Sequence, residues 1–103
     1  MNAPETDQEG YLVRPEDWTA DWARACAAAL GVSLTEDHWA AIRFMRAFLD
    51  EHHVMPDARF VMRHLAETRG GDRNRLFELF PYGYVGQACK IAGMRRPRAW
   101  STG

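Results

Sequence analysis

The sequence contains no run of about 18 uncharged apolar residues, so it offers no membrane-spanning helix. Its opening, MNAPETDQEG, is acidic and polar. It lacks the basic and apolar regions of a secretory signal, and a cytoplasmic protein is expected. Cysteine is scarce: Cys26 and Cys89 are too few for a disulfide scaffold and have no zinc-like spacing. A cytosolic setting keeps such thiols reduced. There is no Gly-rich phosphate loop, no HExxH and no GxSxG. His52 and His53 are adjacent and point about 100° apart on a helix, while His38 and His64 have no sequence-local ligand partner. No metal, no cofactor and no self-sufficient catalytic constellation is therefore expected. Repeats and low-complexity runs are absent, and strand patterning is too sparse for a β or α/β class.

What is present is one domain's worth of chain, 103 residues and 11.8 kDa. Apolar residues make up 47% and charged residues 26%, the composition of a folded globular chain. The net charge of −1 hides an asymmetry. Residues 1–58 hold four arginines against eleven acidic residues, and residues 59–103 hold nine basic against three acidic. Two readings follow. The basic half meets an acidic partner, or the two halves face each other and neutralise.

Residues 1–9 read as a loose tail. The segment from Gly10 to Val13 reads as a strand of a short N-terminal β-hairpin, ended by Pro15. Trp18, Trp22, Cys26 and Ala29 follow near-helical spacing, which places helix one at about 16–30 with Gly31 as its stop. Cys26 is expected there as a buried structural thiol. Helix two spans about 35–53, capped by Ser33 or Thr35. Its wide apolar arc marks a central core helix, with Trp39, Ile42, Met45 and Leu49 buried and Arg43, Arg46 and Asp50 on the opposite side. Helix three runs about 57–68 with Val61, Met62 and Leu65 inward, and Gly70-Gly71 ends it. Helix four runs about 73–80 from an Asp72 cap to Pro81. A last helix runs about 84–92, with Val85, Ala88 and Ala92 on one stripe and Gly93 as stop. The remainder, MRRPRAWSTG, is a basic, flexible arm from residue 94 to 103. The expected fold is mainly α: a small orthogonal bundle of four to five helices with the N-terminal hairpin and the C-terminal arm.

Cys89 is the residue to which chemistry can be attached. It lies in GQACKIAG, with Lys90 next to it and Arg95, Arg96 and Arg98 downstream. A nearby cation favours the thiolate, whereas the C-terminal end of a helix opposes it. A separate reading takes helices three and four as a helix-turn-helix pair that binds nucleic acid through Arg59, Arg63, Arg69, Arg73 and Arg75.

Three blocks carry a resemblance: DQEGYLVRPEDW at 7–18, SLTEDHWAAIRFMRAFLDEHHVMPDAR at 33–59 and LFPYGYVGQACKIAGMRRP at 79–97. Together they resemble the DsrC/TusE sulfur-relay family, named after the gamma subunit of dissimilatory sulfite reductase. The resemblance implies a small helical cytosolic protein with an N-terminal hairpin. It implies a carrier that holds sulfur as a persulfide or trisulfide and passes it between partner proteins. The family's carrier cysteine lies on a flexible C-terminal arm, and Cys89 matches a second cysteine that only the sulfite-reductase branch has.

The departures matter as much. Trp100 stands where the family has its carrier cysteine, and the arm as far as residue 103 contains no cysteine. Tyr84 replaces the family's usual proline. An intramolecular disulfide or trisulfide between arm and helix is therefore impossible in this sequence. Two functions remain open. Cys89 alone accepts a persulfide by thiol exchange and relies on a partner thiol for release. Alternatively, the protein binds or regulates sulfur-transfer or sulfite-reductase-type partners. There Trp100 is an anchor, Arg95, Arg96 and Arg98 steer toward an acidic cleft, and Lys90 and Tyr84 border the contact. Either is a carrier or regulator rather than an enzyme with its own turnover.

Overall fold

The computed structural model describes residues 4–71 and 74–95, the side chain of Val85 apart. In chain order the elements are a 3₁₀ turn, Pro15–Asp17, then α1, Ala20–Ala29, α2, Glu36–His52, α3, Ala58–Arg69, and α4, Arg75–Leu79. A π-helix, Tyr84–Cys89, closes the sequence of elements. No helix among the described residues is long and apolar enough to cross a membrane.

The expected N-terminal β-hairpin is not formed. Among the described residues there is one isolated antiparallel bridge, Thr6 to Leu12, and no strand. Tyr11 and Leu12 are consecutive and both buried, so the segment breaks the in-out alternation of a strand. The Asp7 carboxylate accepts the backbone N–H groups of Glu9 and Tyr11, which coils the chain into a turn. A lone two-stranded ribbon has no neighbour to extend its ladder.

The first helix also starts later than expected. Trp18 has extended backbone angles, and the Thr19 hydroxyl accepts from the Trp22 N–H to cap α1. Trp18 and Trp22 therefore do not share a helix face. Gly31, at φ +75°, ends α1 as expected: the Val32 and Gly31 N–H groups bond Ala27 and Ala28 carbonyls in a Schellman pattern.

The α2 helix is the centre of the core. Ile42 and Met45 are fully buried, together with Ala40 and Ala41. Trp39 and Leu49, expected at the same depth, lie at its rim and are half-buried. Of the two candidate caps, Thr35 closes the helix, and His38 completes a capping box by accepting the Thr35 backbone N–H at Nδ1, 3.0 Å. Nε2 of the same ring donates to the Leu79 carbonyl at 2.8 Å and so ties α2 to the end of α4. Val61 and Leu65 of α3 and Leu76 and Leu79 of α4 bury against α2, with Phe80 behind them.

The charge asymmetry is partly resolved inside the fold. Asp37 at the start of α2 receives Arg69 of α3 and Arg75 of α4, each at 2.7 Å. These cations hold its carboxyl below the usual range, Arg69 most strongly. Two of the arginines assigned to the nucleic-acid reading are thus spent on the acidic half. Arg59 pairs with Asp57, and Arg73 lies outside the described residues.

Candidate functional site

Cys89 sits at the end of the π-helix. The sequence indicates an ordinary α-helix over 84–92, but over Tyr84–Cys89 the winding is the wider π form. Gly93, at φ +79°, then ends the helix in a Schellman pattern, with the Met94 and Gly93 N–H groups on the Cys89 and Lys90 carbonyls. Gly83, at φ +117°, starts the wide turn, and the Gln87 side chain accepts the Tyr82 N–H across it. The geometry turns Cys89 inward. It is 0% exposed, and its Sγ–H lies against Met55 Sδ at 3.2 Å.

Tyr84, the departure from the family pattern, walls the same space. It is buried, and its hydroxyl donates to the Pro56 carbonyl at 2.7 Å. Burial pushes the Cys89 thiol up to about 12, and the neighbouring Tyr84 opposes this only in part. The phenol of Tyr84 is pushed far above its usual range, by burial first and by Cys89 second. The thiolate is the nucleophile, so this pocket holds Cys89 in its unreactive form.

Lys90 does not reverse that. Adjacent helical residues point roughly 100° apart, and the Lys90 ammonium lies over the Tyr11 ring, 4.9 Å from its centroid. The thiol that feels the lysine charge is Cys26, which is half-buried rather than buried as expected. Burial raises the Cys26 pKa, and Lys90 pulls it back. The cation that sequence adjacency assigns to Cys89 therefore serves the other cysteine. Both thiols are free.

Of the expected partner-binding residues, Arg95 is exposed, and its Nε donates to the Val13 carbonyl at 2.9 Å. Arg96, Arg98 and Trp100 lie outside the described residues. Met94, placed in the arm by sequence, is 1% exposed and belongs to the core.

Three residues stand out that the sequence reading did not bring to this site. Arg46 belongs by spacing to the polar arc of α2, yet it donates to the Ala92 and Pro15 carbonyls. Trp18, assigned to helix one, donates its indole N–H to the Ile91 carbonyl. Met55, in a loop, covers Cys89. Trp18 and Arg46 do fall within the blocks that carry the resemblance, which was the available signal.

An open groove of about 420 Å³ between α2 and α3 is lined by Phe44, Phe48, Phe60 and His64 among others, and contains no thiol. Among the described residues no three of His, Cys, Asp and Glu lie close enough to share a metal ion.

The family described as "DsrC like protein" matches residues 1–99. The sulfurtransferase TusE of Yersinia pseudotuberculosis is 40% identical over 96 residues, covering 90% of this chain and 89% of the relative. Among solved structures, the oxidized gamma-subunit of the dissimilatory sulfite reductase (DsrC) from Archaeoglobus fulgidus is similar. It has a TM-score of 0.85 and 29% identity, covering 92% of this chain and 90% of that one. A chain of the crystal structure of dissimilatory sulfite reductase I is similar too, with a TM-score of 0.77 and 27% identity, covering 91% and 88%.

Proposed function

Because this chain belongs to the DsrC-like protein family, we propose that it acts in sulfur relay as a partner-binding member, and not as a carrier that loads sulfur on Cys89. Sulfur-relay function is the family's, and partners of the sulfur-transfer kind come with it. The observation that carries the finer reading is the burial of Cys89: a fully covered thiol against Met55 and Tyr84, held protonated at neutral pH. Thiol exchange needs both thiolate and access, and this pocket denies both. Residues 90–103 contain no cysteine to act as a second thiol.

The arm then acts by contact. Trp100 is the aromatic anchor, and Arg95, Arg96 and Arg98 raise the association rate toward an acidic cleft. Tyr84 is buried and the half-buried Lys90 rests on Tyr11, so neither is placed in the contact with the partner. The setting is cytoplasmic, where free thiols persist.

The test is binding to a purified sulfur-transfer complex, by surface plasmon resonance. Trp100→Ala weakens binding by ~2 kcal/mol or more, as for a buried aromatic hot spot. Deleting residues 98–103 abolishes it, and association slows at high salt. Unchanged affinity after the deletion overturns the arm as the docking element.

A further inference from the structure

Every residue from 90 to 95 is held by the body, and most of the holders come from the N-terminal segment. The Lys90 ammonium rests on the Tyr11 ring, and a side-chain carbon at Gly10 would come within 3.5 Å of its Nζ. Trp18 Nε1–H donates to the Ile91 carbonyl at 2.9 Å. The Arg46 guanidinium lies over the Trp18 ring, 4.5 Å from its centroid. From there Nη1 donates to the Ala92 carbonyl at 2.8 Å and Nη2 to the Pro15 carbonyl at 3.0 Å. Gly93, at φ +79°, turns directly against this pair. A Cβ there would come within 2.4 Å of Trp18 Cδ1 and 2.9 Å of Arg46 Nη1. Met94 is buried, and Arg95 reaches the Val13 carbonyl.

The carbonyls of Ile91 and Ala92 belong to the last helical turn, where the backbone has run out of intrahelical donors. A simpler fold leaves such groups to water. Here one guanidinium and one indole take them, and the same guanidinium ties them to the chain entering α1 at Pro15. Its donors go to carbonyls of two distant segments. The contact therefore fixes backbone position, which an ion pair between flexible side chains does not. Glycine at 93 is the shape counterpart, because any other residue pushes the chain off the Trp18–Arg46 pair.

We propose that Arg46, with Trp18 and Gly93, is a positioning device that fixes the direction in which the C-terminal arm leaves the body. It rests on the reading of the arm as the docking element. The advantage is preorganisation: an arm that leaves along one path loses less freedom on meeting its partner. Arg46 acts through the backbone of residues 91–93 and touches no partner itself.

The experiment reads direction without a partner, so its failure and that of the docking reading are separable. Nitroxide labels are placed at Asp21→Cys on α1 and at Arg98→Cys, three residues beyond Arg95, in a Cys26→Ser, Cys89→Ala background. Their separation is measured by double electron–electron resonance. Arg46→Met shifts the mean distance or widens the distribution at least twofold. Arg46→Lys, which keeps a cation over Trp18 and one donor, restores a narrower distribution. Leu65→Ala, a core change in α3, lowers the melting temperature and leaves the distribution as it was. Trp18→Phe, which removes the indole N–H and narrows the ring under Arg46, gives the same widening in smaller degree and serves if Arg46→Met does not fold. A folded Arg46→Met or Trp18→Phe protein with the parent's distribution overturns the proposal. So does equal widening in Leu65→Ala.

Discussion

Around Cys89 the walls are closed: Met55 lies against the sulfur, Tyr84 neighbours it, and Cys89 has no exposed surface. Around residues 90–95, one step along the chain, the surroundings are carbonyls, aromatic rings and cations, engaged by named hydrogen bonds. The first environment suppresses chemistry, because a thiol loses acidity when desolvated. The second spends charged side chains on holding backbone in place. Structural precision in this protein is invested in where the arm begins. The matching cysteine of the family motif is treated as a small core residue.

The largest expected effect tests the closed wall. With its pKa pushed up to about 12, Cys89 in a Cys26→Ser protein should react with iodoacetamide at least ~10³-fold more slowly than a free cysteine at pH 7.5. Stopped samples read by mass spectrometry give the rate, and reaction at the rate of a free cysteine breaks the contrast. Arg46→Met should come next, losing ~1.5–3 kcal/mol in urea unfolding, because charge-assisted bonds to two carbonyls are lost. A loss below 0.5 kcal/mol would show that the contact is loose. Met55→Ala should cost ~1–2 kcal/mol, since Met55 is half-buried. The same variant should also accelerate Cys89 labelling, whereas Arg46→Met should leave that rate nearly unchanged. Equal acceleration by both variants would merge the two regions into one.

The smallest effect concerns acid. His38 is neutral in the fold, accepting from Thr35 at one nitrogen and donating to Leu79 at the other, and burial holds its pKa below that of a free imidazole. The unfolded chain takes up this proton at higher pH than the folded one. Stability is therefore intact above about pH 6.5 and declines as pH falls through the lower folded value. Urea midpoints between pH 7.5 and 5 should fall, and less steeply in His38→Gln. An equal slope in that variant assigns the acid sensitivity to other groups.

How much of this the sequence disclosed depends on the distance over which each feature is built. The α2 and α3 helices were legible because 3.6-residue periodicity is local, and their ends fall within a residue or two of expectation. Tyr11 and Leu12 misled the hairpin reading because two consecutive buried residues leave no alternation to test. The π-helix changes backbone winding without a change in composition, so GQACKIAG reads as α. Arg46 lies on the polar arc of α2, and its partners are 31 and 46 residues away in sequence. Periodicity cannot separate a solvated arc from one closed by a distant segment. Lys90 beside Cys89 was the converse error, since neighbours in a helix sequence diverge in space. Trp18, Arg46 and Gly93 each lie within a resemblance block, but nothing in the sequence grouped them, and only the fold brings them to a single contact.

The central claim is that Cys89 is a closed structural thiol in a protein that works by binding. Intact-mass analysis of the folded Cys26→Ser protein, after incubation with a persulfide donor at pH 7.5, tests it most directly. The account predicts no added sulfur in the native protein and a gain of about 32 Da, one sulfur on the thiolate, only after unfolding in urea. A native protein that gains that mass, and loses the gain in Cys89→Ser, would contradict it and make Cys89 the carrier.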